Sequence, residues 1–364
     1  MINRIIDASL NNRFVVFLLA AILVGVGIYS LTQLPIGAVP DITPVQVQVL
    51  TNAPGLAPEE VEKFITFPVE AAMSGLPRVE EIRSTTRFGL SAVTVYFKEG
   101  TDIYWARSRV LERLPAARAA IPEGFGEPEM GPISTGLGQI FQFQLANDDD
   151  PSTPEYSLME LRSILDWQVG FRLRSVPGIV EVNTWGGELK TYEVTVDPDK
   201  LLNYDIPLSR LFEALRQNNA NAGGGYLLRH GEQWIIRGEG LAGGGDGPPE
   251  EALEDIRNIV LDSREDGTPI YVKDVAEVRF APMIRQGAVS ADAEGETVIG
   301  LTLMLMGEND FAVVDRVREK IREIQDALPP GVVIKPFYER THIVRRTIQT
   351  VKENIITGAV LVIV

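Results

Sequence analysis

Two histidines, seven methionines and no cysteine set the chemistry open to these 364 residues. Without thiols there are no disulfides, no thiolate metal sites and no cysteine nucleophile. His230 and His342 are far apart, each close to an arginine and without a carboxylate at ligand spacing. Neither is expected to hold a metal or move a catalytic proton. Asp148–Asp150 lead into Pro151 and Ser152, which is turn chemistry. Asp197, Asp199 and Asp205 do not make a calcium loop, because Pro198 interrupts them and the required glycine is missing. Gly223–Gly225 and Gly243–Gly245 lack both the Lys-Ser/Thr of a phosphate loop and dinucleotide spacing, so they read as flexible turns. No nucleophile has a base and an orienting partner near it. The sequence therefore names no catalytic, cofactor-binding or metal residue, and no cofactor is expected.

Two residue sets carry a weaker signal. Met73, Met130, Met159, Met283, Met304 and Met306 are soft donors that suit monovalent ions, although core packing is the ordinary role of methionine. Met304 and Met306 have strand spacing, which would put both on one face. Arg83 and Arg87 lie on a strand with few apolar neighbours. They line a cleft or stand on a solvated surface, and the residues alone leave both open.

The elements that must position these groups begin with an apolar run. Phe14–Leu34 holds 21 residues and no charge, enough for a helix to cross a hydrocarbon core of about 30 Å. Arg4 and Arg13 precede it and no Lys or Arg follows until Lys63, which places the N-terminus in the cytoplasm and the following domain outside. The run is too long for the apolar part of a secretory signal and ends in LPIGAVPD rather than a small-x-small site, so an uncleaved anchor is expected. Ile355–Val364 reads as the opening of a second apolar span, preceded by Arg340, Arg345, Arg346 and Lys352. Between the runs the chain is acidic, giving a net charge of −16. That argues against nucleic acid and anionic headgroups as partners of the soluble part. It suits either cations or simple solubility.

Within the acidic part, VQVQVL (45–50) alternates as a strand. A helix follows, with Pro58 near its start and Gly75 at its end, then strands at Val79–Ser84 and Ala92–Phe97. A second helix opens at Thr101, and a strand is expected near Glu127–Gly131. This is the β-α-β-β-α-β order of ferredoxin-like folds. The order restarts with Gln139–Leu145 and a helix marked by Leu158, Leu161, Leu165, Val169 and Leu173. VPGIVEVNTWGGELKTYEVTVD then repeats the grammar of LPRVEEIRSTTRFGLSAVTVYF one hundred residues earlier, two strands joined by a glycine turn. The second copy is interrupted by a short helix, the hairpin NNANAGGGYLLRHGEQWIIRGEG and the loose stretch LAGGGDGPPEE. It resumes with strands at Val275–Phe280 and Thr297–Leu305, a helix over 311–328 and a last strand at Val332–Phe337.

The succession NNRFVVFLLAAILVGVGIYSLTQLPIGAVPDITPVQVQVLTNAPGLAPEEVEKFITFPVE resembles the resistance-nodulation-division efflux pumps, specifically their heavy-metal branch. GTDIYWARSRVLERLP, GGELKTYEVTVDPDKLLNYDI, LPPGVVIKPFYERTHIVRRTI and the NNANAGGG hairpin carry the resemblance along the chain, in order. It implies the N-terminal part of a homotrimeric bacterial inner-membrane proton antiporter, not an enzyme. Such a pump exports a metal cation through a periplasmic adaptor protein and an outer-membrane channel. The fold class is then membrane α plus α+β. Residues 1–36 would be the first transmembrane segment, in contact with membrane lipid, and 37–135 the first ferredoxin-like porter subdomain. Residues 136–196 with 272–338 would form the second porter subdomain, 197–271 an inserted docking subdomain, and 339–364 the lead-in to the next transmembrane helix. The helix Thr101–Pro115 would face the central pore. Hairpin 218–240 would be an arm gripping a neighbouring protomer through Tyr226, Leu228, Trp234 and Ile236. Arg83 aligns with a basic position bordering the porter cleft. Copper/silver members use methionine ligands, one in a GPEMRRG-like segment. Here APMIRQG displaces Met283 by one position and puts Ile284 in its place, which on a strand would turn the methionine to the other face. Divalent zinc, cobalt or nickel is therefore favoured over copper or silver. The alternative is a membrane-anchored extracytoplasmic scaffold or binding protein that ends where this chain ends. The last ten residues would span only about 15 Å as a helix, which makes that ending odd.

Overall fold

The computed structural model describes residues 12–33, 43–134, 138–150, 152–244, 248–264, 266–285, 287–293 and 295–363. Helix α1 (Arg13–Gln33) opens the described chain. Its described side chains are exposed. Among the described residues, no helix is long and apolar enough to cross a membrane.

The first α+β layer follows at once. Strand β1 is Gln46–Asn52. Helix α2 is built from Pro58–Val61, a π-turn at Glu62–Thr66, and Phe67–Met73. Strands β2 (Val79–Arg87) and β3 (Leu90–Phe97), helix α3 (Ile103–Ala120) and strand β4 (Pro128–Met130) complete it. The sheet order is β2-β3-β1-β4, with β3 antiparallel to both neighbours. The alternation seen in VQVQVL now has its cause: Val47 and Val49 are buried under the two helices, together with Val93, Val95 and Phe97 of β3.

A spacing of four decides the shape of α2. Its buried apolar positions are Val61, Ile65, Val69 and Met73. A regular helix advances about 100° per residue, so such a row drifts by roughly 40° per step and leaves the sheet within three turns. The wider π-turn in the middle absorbs the drift, with the Phe67 N–H donating to the Glu62 carbonyl five residues back. Pro68 has no N–H to give to Phe64, so the regular bond is missing at that point of the ladder.

The second layer begins with strand β5 (Gln139–Asn147). Helix α4 is again in three parts, Leu158–Ile164, a π-turn at Leu165–Gly170, and Phe171–Leu173. Among its buried positions, Leu161, Leu165, Val169 and Leu173 repeat the four-residue spacing. Strand β6 (Ile179–Gly186) follows.

Here the structure departs from the expected repeat. Strand β7 (Lys190–Val196) does not form a hairpin in the same sheet as β6, because Gly186 and Gly187, both at positive φ, lead the chain away. Helices α5 (Pro198–Asn203) and α6 (Leu208–Gln217) follow, then strands β8 (Ala222–Arg229) and β9 (Glu232–Gly238). Helix α7 (Pro249–Arg257), strands β10 (Val260–Ser263) and β11 (Pro269–Tyr271), and the short helix α8 (Val272–Val275) lead to β12 (Ala276–Pro282). β12 pairs with β7 from Ala276↔Val196 to Pro282↔Lys190 in a sheet of their own. After strands β13 (Ser290–Ala291) and β14 (Gly295–Glu296), the interrupted layer resumes with β15 (Val298–Met304), helix α9 (Asp310–Gln325) and β16 (Val332–Glu339). Helix α10 (Arg340–Ile363) ends the described chain.

The second sheet has the order β16-β5-β15-β6, strand for strand the order of the first. So β15, not β7, is the counterpart of β3, and the insertion splits the strand pair itself. The chain divides into two compact units, one of Met1–Glu155, Ile164–Trp185 and Val298–Val364, the other of Tyr156–Ser163 and Gly186–Thr297. The expected boundaries 136–196, 197–271 and 272–338 gave both β7 and β12 to the interrupted layer. Their mutual pairing places them with the insert, whose core gathers Ile206, Leu211, Leu261, Val272, Val275 and Val278.

Candidate functional site

The hairpin β8–β9 carries the largest unexplained apolar surface in the insert. Its strands pair Tyr226↔Ile235, Leu227↔Trp234 and Leu228↔Gln233. Tyr226, Leu227, Leu228, Trp234, Ile235 and Ile236 are all exposed, from 43% at Ile236 to 80% at Ile235. The register divides the four residues singled out by sequence between two faces. Tyr226 and Leu228 share one face with Ile235, while Trp234 and Ile236 share the other with Leu227. A two-stranded ribbon cannot bury both faces by itself.

The glycine triplet is part of this ribbon rather than a flexible turn. Gly223–Gly225 lie in β8, and a Cβ on Gly224 would sit 2.7 Å from the Ile236 side chain, so the cross-strand contact needs glycine there. The turn is made by His230 and Gly231, both at positive φ. At the base, Asn221 accepts from the Gly240 N–H at 3.0 Å and Asn219 from the Ala242 N–H at 3.2 Å. These bonds stitch the hairpin to the rim of a cavity of about 670 Å³, lined by Tyr192, Leu215, Asn218 and Asp255 among others. The second glycine cluster is a tight turn whose Gly243 N–H donates to Asp255 at 2.8 Å. Gly245 lies outside the described residues.

Arg83 stands on β2 with its side chain two-thirds exposed. It pairs with Glu81 at 2.8 Å and covers the Tyr96 ring at 5.4 Å. The hydrogen bond with Arg83 holds the Glu81 carboxyl below the usual carboxylate range, and the same bond raises Arg83. The site is thus a neutralised, solvent-facing pair. Arg87 is exposed farther along the same strand.

Helix α3 is held at its start by Asp102, which accepts from the Trp105 N–H at 2.7 Å. It runs through Pro115 to Ala120. Ala106, Val110, Leu114 and Ala117 are buried in the core of the first layer, while Tyr104 and Leu111 face outward. Arg107 donates to the Gly131 carbonyl at 2.7 Å, and its burial lowers the guanidinium pKa.

The methionines do not converge. Met73 and Met304 are buried in separate layers, and Met306 lies past the end of β15, so Met304 and Met306 do not share a strand face. Met283 and Ile284 follow the end of β12 and both are exposed. The face-flipping argument built on a continuous strand therefore does not apply to them. Among the described residues, no group of three or more His, Asp or Glu side chains is placed to hold a metal ion. His342 is exposed in the first turn of α10.

Sequence reasoning missed one buried pair. Asp310, the first residue of α9, meets Arg340, the first residue of α10, at 2.9 Å, with side chains only 6% and 9% exposed. Arg318 of α9 reaches Glu339 at 2.5 Å, so consecutive residues of the β16–α10 junction are both tied to one helix. The residues are 30 apart in sequence, and the only available signal was an aspartate opening one helix and an arginine opening another.

Residues 5–364 match the family model described as AcrB/AcrD/AcrF. The chain is 46% identical over 365 residues to Protein HelA of Legionella pneumophila. It is 43% identical over 367 residues to the cobalt-zinc-cadmium resistance protein CzcA of Cupriavidus metallidurans. It is 34% identical over 364 residues to the cation efflux system protein CusA of Escherichia coli K12. All three alignments cover 100% of this chain and 34% of the relative, so the chain spans about a third of their length. A crystal structure of a heavy metal efflux pump superimposes with a TM-score of 0.83 at 34% identity, covering 97% of this chain and 34% of that one. The protein belongs to the AcrB/AcrD/AcrF family, the resistance-nodulation-division pumps, with heavy-metal efflux proteins among its relatives.

Proposed function

We propose that this chain is part of a proton-driven transporter of the bacterial inner membrane that exports heavy-metal cations as a homotrimer, through a periplasmic adaptor and an outer-membrane channel. The observation that carries the reading is the similarity along the whole chain to proteins named for cation efflux. The uncharged run Phe14–Leu34 serves as its first membrane anchor, with the two α+β layers as porter subdomains and the insert as docking subdomain. The exposed ribbon β8–β9 acts as the arm onto a neighbouring protomer, and Arg83 borders the porter cleft. Divalent ions are favoured over copper and silver. Identity is 43% to the cobalt-zinc-cadmium resistance protein CzcA, and Ile284 stands where the copper/silver segment has methionine.

The test is a metal-sensitive bacterium given the complete gene with its adaptor and channel genes. Growth should be restored on zinc, cobalt or nickel, and collapse of the proton gradient should abolish export. Protection against silver and copper(I) alone would reverse the ion preference. Protection against no metal would overturn the efflux reading.

A further inference from the structure

The π-turns of α2 and α4 fall in corresponding helices of the two repeats, Leu165–Gly170 about three residues later than Glu62–Thr66 at a repeat spacing of one hundred. Thr66 ends the first and Asp166, one hundred residues later, lies in the second. Their local causes differ. In α2, Pro68 removes a donor. In α4, Gly170 makes room, since a Cβ there would meet the Leu165 carbonyl oxygen at 3.0 Å. Different residues enforcing one irregular geometry in corresponding helices point to the geometry as the retained feature. Each π-turn also sends one polar side chain to the sheet strands that follow the helix. The Thr66 hydroxyl, buried, bonds to Thr86 at 2.9 Å and to Ser91 at 2.8 Å. The Asp166 carboxylate accepts from the Thr184 hydroxyl of β6.

We propose that the two π-turns are matched hinges, latched by Thr66–Thr86–Ser91 in one layer and Asp166–Thr184 in the other. About them the two halves of each helix re-register on their sheet. A π-turn is one residue that the helix has not absorbed. Moving it along the helix turns the segment it crosses by about 100° while nearly conserving the number of backbone hydrogen bonds. The apolar anchors on either side of the first π-turn, Val61 before it and Val69 and Met73 after it, give each half its own hold on the sheet. The latch is made of a few side-chain bonds, each weak enough to open on its own.

Hydrogen exchange on the full-length protein in lipid nanodiscs, without metal or proton gradient, tests this independently of transport. Amides of 62–70 and 165–174 should exchange about tenfold or more faster than those of α3 and α9, as expected for local opening. Thr66→Val should accelerate 62–70 a further roughly 3- to 10-fold and leave 165–174 unchanged. Asp166→Ala should do the converse, and Thr66→Ser, which keeps the hydroxyl, should return the parent rate. The hinge is overturned if the parent segments are as protected as α3 and α9, or if Thr66→Val changes 62–70 and α3 equally or changes neither. In those cases the π-turns are static corrections of helical phase.

Discussion

Gly300 shows how one missing side chain shapes a layer. It faces Phe143 across the β15–β5 pair, and a Cβ there would lie 2.3 Å from the ring. Gly300→Ala should therefore force the phenyl ring off its site and destabilise the protein by roughly 1–3 kcal/mol, the usual range for overpacking. Combining it with Phe143→Leu should return part of that loss. Denaturant unfolding of the parent, the two single variants and the double variant measures it, and strictly additive losses would mean the two residues do not compete for space. The pair Asp310–Arg340 makes the opposite kind of prediction. Both charges are almost fully desolvated, so Arg340→Met removes the ion-pair partner of a buried carboxylate and should cost about 3–5 kcal/mol. Replacing both, with Asp310→Leu added, should restore much of it. A double variant less stable than Arg340→Met would show that the pair is held by more than mutual neutralisation.

At the scale of elements, α4 offers a pH-dependent cap. Ser157 and Glu160 bond reciprocally: the Ser157 N–H and hydroxyl donate to Glu160 at 2.8 and 2.7 Å, and the Glu160 N–H donates to the Ser157 hydroxyl at 3.3 Å. The Ser157 hydroxyl, then its backbone N–H, hold the Glu160 carboxyl below its ordinary value. A carboxylate with a lowered folded-state pKa adds stability that is complete above its unfolded pKa and lost as pH falls through the folded value. Ser157→Ala should cost about 1 kcal/mol at neutral pH. The gap between variant and parent should narrow on acidification below the usual carboxylate range. Unfolding curves at pH 7 and at about pH 3 check both parts, with the acid value chosen to lie below the ordinary glutamate pKa. A gap that persists unchanged in acid would assign the loss to the serine alone.

For the molecule as a whole, the ribbon β8–β9 is the surface that most needs a partner. Six exposed large apolar side chains on two faces of a two-stranded sheet mark an interface more readily than a solvated loop. Deleting Gly224 to Gly231 in the full-length protein should leave both α+β layers folded, because they draw none of their core from the ribbon. The trimer should become markedly less abundant on crosslinking. Trimer yields equal to the parent would show that the ribbon is covered in another way. The charge asymmetry around Phe14–Leu34 predicts orientation. A cysteine at position 152 should be labelled from outside the cell and one at position 3 only from inside, and labelling of position 3 in intact cells would reverse the topology.

Much of this protein was legible because its repeats are local. Period-two runs such as VQVQVL mark strands with one face buried, and the apolar positions at 61, 65, 69 and 73 and at 161, 165, 169 and 173 mark helices. The same row of fours already contained the π-turns, since no regular helix keeps that spacing on one face, yet the reading stopped at helix. Order along the chain also gave the βαββαβ unit twice. What the sequence could not decide was partnership over distance. β7 and the strand equivalent to β3 have the same alternating grammar, and only the competition for the place between β5 and β6, won by β15 a hundred residues downstream, shows which belongs there. Asp310 and Arg340 are ordinary charged residues until folding removes water from both. Alternation and helical spacing are properties of neighbours along the chain, whereas strand pairing and desolvation depend on which distant segments the chain brings together.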